Sequence, residues 1–309
     1  MGDPGAKFGH DQHHGTGDVV VDRSSSIGIV GTGRVGSALA DALLKSGWPL
    51  DAVASRTVEG AEALASHLPF VAATSVEEVV GANDVVFLAV PDDEIQTIAE
   101  TLRWRPDQAV VHLSGGRGLD VLSPVAAAGG LPGCLHPLQT FPGGEEPARA
   151  RARFEGIACG VEAASPLDAL LEAIVDDLGA QSFRLEGVDR AAYHAAAVFV
   201  SNDVVAAMAA ATRAWTLAGL PSDEAQGALS PLLQATTAAI AERPLAEALT
   251  GPVARGDLET VRHHLESLTA EPELRALYRA LAAELLRLEL GHSAETAAEL
   301  AALLDGSED

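Results

Sequence analysis

The run Ser26-Ile27-Gly28-Ile29-Val30-Gly31-Thr32-Gly33-Arg34-Val35-Gly36 constrains this chain more than any other stretch. Ile27 to Val30 is a short apolar run of strand length, and Ser37 to Lys45 reads as a helix. Between them, Gly31, Gly33 and Gly36 fall at G-x-G-x-x-G spacing. In such a strand–loop–helix unit, Gly31 allows the tight turn, Gly33 lets backbone approach a pyrophosphate, and Gly36 lets the helix close on the strand. The free N–H groups of the helix's first turn then face the phosphates. Glycines alone are weak evidence, but flanked by a strand and a helix they point to a bound dinucleotide. Gly31, Thr32, Gly33, Arg34, Val35 and Gly36 are therefore candidate cofactor contacts.

The second strand, Leu50 to Ala54, indicates which dinucleotide. An NAD enzyme places Asp or Glu at the carboxyl end of this strand. Here Asp51 sits at its beginning, and the carboxyl end reads Ser55-Arg56-Thr57. A guanidinium flanked by two hydroxyls suits a 2′-phosphate, so the expectation is NADP, with Ser55, Arg56 and Thr57 as contacts.

Strands and helices continue to alternate. Further strands are expected at Phe70–Ala72, Asp84–Val90, Ala109–Leu113, Gly133–Leu135, Ile157–Val161 and Ser182–Leu185. Helices are expected at Glu59–His67, Glu94–Leu102, Leu119–Ala128 and Pro166–Leu178. This alternation predicts an α/β fold with a doubly wound parallel sheet. From Gly187 onward Ala, Leu and Glu dominate and no strand appears, so an all-α domain follows. Its first helix is expected to run unbroken from Asp189 to Ala218, buried among Ala, Val and Phe. The organisation read from sequence is a disordered tail over 1–25, a dinucleotide-binding domain over 26–186 and a helical domain over 187–309.

Ligands of open α/β sheets bind beyond the carboxyl ends of the strands. Val90, Pro91 and Asp92 follow one strand, Ser114 and Gly115 another, and His136 to Thr140 a third. Of these, Val90, Pro91, Ser114 and Gly115 are read as cofactor contacts, Ser114 and His136 as catalytic candidates, and Gln139 as a substrate contact. On the long helix, His194 and Ser201 are seven residues apart and share a face, with Asn202 adjacent. That face is either a helix–helix contact or a polar surface with His194 as proton donor. In Thr250–Asp257, Arg255 either clamps a substrate carboxylate or pairs with Asp257, which is placed to cap the next helix.

Composition narrows the partners. With 20 Lys and Arg against 44 Asp and Glu, the net charge is −24 in 309 residues, which disfavours nucleic acid. No uninterrupted apolar run reaches about 18 residues, so no membrane helix is expected. The N-terminus is rich in Gly, His and Asp and does not read as a signal peptide. Cys134 and Cys159 suggest no disulfide framework, which fits a reducing cytoplasm. His10, His13 and His14 read as a solvated cluster, and His263 and His264 form no metal motif, so no metal site is assigned. Lysine occurs only as Lys7 and Lys45.

Beyond these readings, the sequence resembles the oxidoreductases that join a Rossmann-like NADP domain to a helical C-terminal domain of unknown function. The resemblance spans about Ile27 to Leu304. It rests on the Gly31–Gly36 loop, Val90-Pro91-Asp92, His112-Leu113-Ser114-Gly115, His136 to Phe141, His194 to Asn202, and Thr250 to Asp257. The wider clan holds ketopantoate reductase, pyrroline-5-carboxylate reductase and prephenate dehydrogenase, with second domains of the 6-phosphogluconate dehydrogenase type. Membership implies NADP, a small-molecule substrate, substrate contacts from the helical half and a homodimer formed through it. Some relatives look like alternative ketopantoate reductases, which implies reduction of a small 2-keto acid with ketopantoate the first candidate. The common ketopantoate reductases use Lys-x-x-x-Asn on the long helix, and this chain has no lysine after Lys45. A ketone would then take its proton from His194 or His136, with Ser114 and Asn202 orienting its oxygen and Arg255, Asp257, Ser201 and Gln139 around the substrate. A cyclic imine can arrive already protonated, so imine reduction stays open, as does a non-catalytic NADPH sensor.

Overall fold

The computed structural model describes residues 21–145 and 147–306. The histidines of the expected tail, His10, His13 and His14, lie outside the described residues. Residues 21–25 are part of the fold and not of a tail. Val21 is buried, Arg23 pairs with Asp177 at 2.6 Å, and its guanidinium lies 4.9 Å from the Trp48 ring centre.

Eight strands build one sheet: β1 (Ile27–Val30), β2 (Leu50–Ala54), β3 (Ala72–Ala73), β4 (Val85–Leu88), β5 (Ala109–His112), β6 (Leu131–Pro137), β7 (Ala158–Ala163) and β8 (Gln181–Arg184). Their order is β3-β2-β1-β4-β5-β6-β7-β8. The chain crosses from β3 back over the sheet to β4, so the direction of winding reverses between β1 and β4, and this is where such sheets bind ligands. The first six strands are parallel. β7 runs antiparallel to β6, with Pro137 opposite Cys159, and β8 follows β7 in parallel. The parallel sheet read from sequence holds for the other pairings, and the β6–β7 pair departs from it. The β6–β7 connection holds a helix that packs on the first helix, and the chain returns from the end it left.

In the first unit the helices are α1 (Arg34–Lys45), α2 (Val58–Ala65), α3 (Val76–Ala82), α4 (Asp92–Thr101), α5 (Ser123–Ala127), α6 (Pro147–Ala152) and α7 (Leu167–Asp177), and α8 (Arg190–Val200) begins there, its last two residues falling in the second unit. Leu119–Leu122 is a 3-10 turn that leads into α5, replacing the single helix expected over Leu119–Ala128. Both faces of the sheet are covered. Ile27, Ile29, Val53, Phe87 and Val111 pack with Leu39, Leu43, Leu171 and Ile174 on one side. Val30, Val86, Leu88 and Val110 pack with Val79, Ile95, Ala99 and Leu122 on the other. Strands buried on both faces explain the continuous apolar runs in the sequence. Phe70 lies outside β3, with φ of 68° and its side chain fully exposed, so the expected strand start at Phe70 is also corrected.

The chain divides into two compact units, the first ending at Val198 and the second beginning at Phe199. The second is helical: α9 (Asn202–Leu217), α10 (Ser222–Glu242), α11 (Leu245–Ala248), α12 (Pro252–Arg255), α13 (Leu258–Ser267), α14 (Pro272–Leu285) and α15 (Ala294–Asp305). α9 and α10 pack as a hairpin, and Pro231 sits inside an otherwise continuous α10. Val253, Val261, Leu265, Ala282, Leu300 and Leu304 form the core of the remaining helices.

The expected unbroken helix from Asp189 is in fact two. At Ser201, φ of −121° and ψ of −78° leave the helical region. The Ser201 hydroxyl donates to Asn202 Oδ1 at 3.0 Å, the local competition for which serine and asparagine are known. His194 and Ser201 therefore do not share a helical face. Neither α8 nor α9 has a buried residue, which corrects the expectation of a buried helix. By length and composition, Arg190–Leu217 is apolar enough to cross a membrane, a property that uninterrupted apolar runs did not disclose.

Candidate active site

The glycine loop is built as the spacing implies, and the three glycines do different work. Gly31 has φ of 108°, and a Cβ there would lie 2.2 Å from the Ala89 carbonyl oxygen. A Cβ on Gly36 would lie 2.0 Å from the Gly31 carbonyl oxygen and 2.9 Å from Ala89 Cβ. These two are glycine because the protein packs against itself there. A Cβ on Gly33 would meet nothing within 4 Å, so packing places no demand for glycine at that position. The space it leaves open is where a pyrophosphate would approach. Gly33 is also the N-cap of α1, has no side-chain cap, and no acidic residue follows in the first turn. The positive end of α1 is left to an external anion.

A cleft of about 450 Å³ opens at the carboxyl ends of β1 and β4, lined by Gly31, Thr32, Gly33, Ser55, Arg56, Thr57, Val90 and Pro91 among others. Arg56 is shared with a neighbouring cleft lined by Thr74, Ser75 and Glu78. Thr57 also caps α2 by accepting from Gly60 N at 3.2 Å. Arg34 faces elsewhere: with His67 and Gly143 it lines a separate cleft of about 400 Å³ across the loop. Val35 and Gly36 lie beneath the loop and do not line the 450 Å³ cleft, and neither do Ser114 and Gly115. The cradle at Gly33, the open helix end and the cationic Arg56 fit a dinucleotide bearing a 2′-phosphate.

Along the same edge of the sheet, beyond β5 and β6, a second group of side chains gathers around Ser114-Gly115-Gly116. Ser114 Oγ donates to Asp92 Oδ2 at 2.6 Å and accepts from the Arg117 N–H at 3.1 Å. A Cβ on Gly115 would lie 2.6 Å from the His136 ring, so the loop and the imidazole are in tight contact. On Gly116 a Cβ would lie 3.6 Å from Asp92 Oδ2 and 3.7 Å from His194 Nδ1, which places both groups beside it. His136 lies within β6 rather than after its end, opposite Gly160. Its Nδ1 is 2.6 Å from the Tyr193 hydroxyl, and its ring centre is 6.5 Å from that of the exposed His194.

Burial, reinforced by nearby His194 and Arg190, drives the His136 pKa down to about 4. Burial likewise pushes Tyr193 up to about 12. At neutral pH the pair is uncharged and keeps both the phenolic proton and an imidazole N–H. Arg190, mostly buried, forms an ion pair with Glu162 and reaches Cys134 Sγ at 3.5 Å. Burial raises the Cys134 thiol to about 11 and Cys159 to about 12, so neither is a thiolate nucleophile.

Other sequence candidates make local contacts of their own. The Gln139 side-chain carbonyl accepts from the Thr140 N–H at 2.8 Å. In the helical unit Arg255 stands 3.8 Å from Asp257, and Asp257 caps α13 by accepting from Thr260 N at 3.1 Å. That is the pairing that the sequence left open against a substrate clamp. Tyr193, Arg190 and Glu162 were not singled out from sequence. Tyr193 adjoins His194, but its partner His136 is 57 positions away in the chain, and no local pattern announces such a contact.

Fold and cleft together define a Rossmann-type dinucleotide-binding protein with a helical second unit. Comparison with known proteins is specific about both halves. Residues 11–137 match the Rossmann-like domain family, and residues 157–285 match a domain of unknown function, DUF2520. The chain therefore joins a Rossmann-like domain to a DUF2520 domain, and the second match takes in β7 and β8. Among solved structures it is similar to BF3122 of Bacteroides fragilis, a candidate NADP oxidoreductase, at 27% identity and a TM-score of 0.67, over 85% of this chain and 98% of the other. Protein TM1727 of Thermotoga maritima gives 26% identity and a TM-score of 0.68, over 84% and 97%. Pyrroline-5-carboxylate reductase of Streptococcus pyogenes shares the fold, at 17% identity and a TM-score of 0.58, over 86% and 100%. No curated protein matches the sequence.

Proposed function

We propose that the protein is an NADPH-dependent reductase of a small carbonyl compound, a 2-keto acid in the first instance, with ketopantoate the first substrate to try. The observation that carries this reading is the His136–Tyr193 pair at the carboxyl edge of the sheet that also bears the cleft. A chain without lysine in this region needs another acid, and a phenol that holds its proton at neutral pH is one. The cleft residues Gly33, Ser55, Arg56 and Thr57 would hold NADPH, whose bound nicotinamide supplies a hydride. As the substrate oxygen gains charge, the Tyr193 O–H gives it a proton. The Nδ1–H of neutral His136 follows onto the phenolic oxygen, and His136 Nε2 regains a proton from solvent, leaving the other imidazole tautomer. His194, which like Asp92 lies beside Gly116, is the competing donor.

A second reading, reduction of a cyclic imine, is favoured by Asp92. This carboxylate is held by Ser114 and has no cation within ion-pair distance among the described residues, and a protonated imine would supply one. The two readings part on NADPH oxidation with ketopantoate against pyrroline-5-carboxylate, and a protein that binds NADPH tightly yet oxidises it with neither is a sensor.

The helical unit is proposed to pair with a second copy. Phe199, Val200, Val205 and Leu232 are each more than 65% exposed. Apolar surface on this scale is normally covered, and a symmetric dimer covers it twice over. The free, buried cysteines fit a cytoplasmic setting.

A further inference from the structure

His112, the last residue of β5, is fully buried. Its Nδ1 accepts the Ser114 backbone N–H at 3.2 Å. Its Nε2 is turned to the Gly118 backbone, at a geometry short of a full hydrogen bond among the described residues. A buried imidazole nitrogen so weakly partnered is unfavourable, so an apolar residue would serve packing better at this position. The compensation is what Nδ1 holds. Every polar atom of Ser114 is engaged: N–H to His112, carbonyl oxygen to Cys134 Sγ at 3.4 Å, and hydroxyl to Asp92 and Arg117 N. The Ser114 hydroxyl is therefore aimed by its backbone, and the backbone by His112.

We propose that His112 is a positioning residue that acts through Ser114 to fix the Asp92 carboxylate beside Gly116. The inference rests on the reductase reading for its catalytic consequence only. Burial, with Arg190 adding to it, lowers the His112 pKa to about 4 against the opposing Gly118 backbone and Asp92, so the ring is neutral and Nδ1 keeps its lone pair at working pH. The side chain does not line the dinucleotide cleft, so cofactor binding is a control and not the readout.

The test uses two variants of the full chain. His112→Asn keeps an acceptor, Oδ1, near the place of Nδ1, and His112→Leu keeps the volume without one. Folding of both is checked by NADPH fluorescence titration, which is expected to match wild type. Ser114 amide hydrogen exchange is expected to stay slow in H112N and become at least tenfold faster in H112L. With whichever of ketopantoate and pyrroline-5-carboxylate is turned over, kcat is expected to fall tenfold or more in H112L at unchanged KM for NADPH, and H112N to recover most of it. Equal amide protection in the two variants overturns the proposal, as does an H112L enzyme with wild-type kcat. If wild type turns over neither substrate, the reductase reading fails by itself, and Ser114 exchange still decides whether His112 holds the loop.

Discussion

His136 Nδ1 and the Tyr193 hydroxyl stand 2.6 Å apart, joining a strand of the sheet to the helix that leaves it. The contact brings together an imidazole with a pKa of about 4 and a phenol with one of about 12. If the phenol delivers the proton, Tyr193→Phe lowers kcat on a carbonyl substrate by roughly 10²–10⁴-fold, the usual weight of one general acid. The NADPH dissociation constant stays put, because Tyr193 does not line the cleft. Single-turnover NADPH oxidation checks this. A much smaller loss on an imine than on a ketone would identify the imine as the substrate that arrives protonated, and an undiminished rate on the ketone would return the role to His194.

The glycine loop yields a contrast that needs no substrate. Gly33→Ala adds a Cβ to open space at an ordinary φ of −72°. It should leave the melting temperature unchanged while weakening NADPH by roughly tenfold or more, equivalent to about 1.4 kcal/mol. Gly36→Ala drives a Cβ against the Gly31 carbonyl and should destabilise the fold by about 1–3 kcal/mol. Thermal unfolding with and without NADPH separates the two, and equal stability losses would mean that Gly33 is structural.

Local chemistry made the first half of this fold legible. The strand–loop–helix at Ile27–Lys45 and the helix cap at Asp257 are written within a few residues, and they stand as read. What escaped was non-local. The antiparallel β7 follows a connection whose helix α6 packs on the distant α1, and the exposure of α8 and α9 depends on what covers them, neither of which is encoded in a short window. The break at Ser201 is a competition between helix propensity and a serine–asparagine hydrogen bond, which hydrophobic periodicity does not register. In the site, the cleft residues were legible because they follow strands. The Ser114–Asp92 and His136–Tyr193 contacts were not, because they pair residues from different loops and elements.

Arg56 tests the cofactor. It is exposed at the mouth of the cleft, between two hydroxyl residues. A hydrogen bond to a charged group contributes about 1.5–3 kcal/mol. Arg56→Ala should then weaken NADPH by roughly 10–150-fold and leave NADH nearly unchanged, as read by fluorescence titration of both. Parallel losses for the two cofactors would remove the 2′-phosphate from the account.

Acid should destabilise the first unit through its buried histidines. His112 and His136 titrate near pH 4 when folded and near 6.5 when unfolded, so between those values the unfolded chain binds more protons. Stability is therefore complete above pH 6.5 and falls as pH drops toward 4, by about 1.4 kcal/mol per pH unit for each histidine. The carboxylates held low by hydrogen bonds, Glu78 and Glu145 among them, act only below their usual value of 4.5. Urea unfolding at pH 7 and pH 5 should show the loss, and His112→Asn should roughly halve it, leaving the share of His136. A flat profile would mean that the histidines are solvated.

The apolar surface of the helical unit makes the last prediction. Val205 on α9 and Leu232 on α10 are 71% and 66% exposed, although α9 and α10 pack on each other. Each alone is an ordinary surface residue, but with Phe199 and Val200 also exposed the helical unit carries several large apolar side chains without cover among the described residues. Replacing Val205 and Leu232 together by Glu introduces like charges that a two-fold interface would bring close to their own copies. Sedimentation velocity should show a dimer for wild type and a monomer for the double variant, with helix content preserved. A wild-type monomer that floats with lipid vesicles would instead assign the Arg190–Leu217 surface to a membrane, and a wild-type monomer that ignores vesicles would leave the face to a different protein partner.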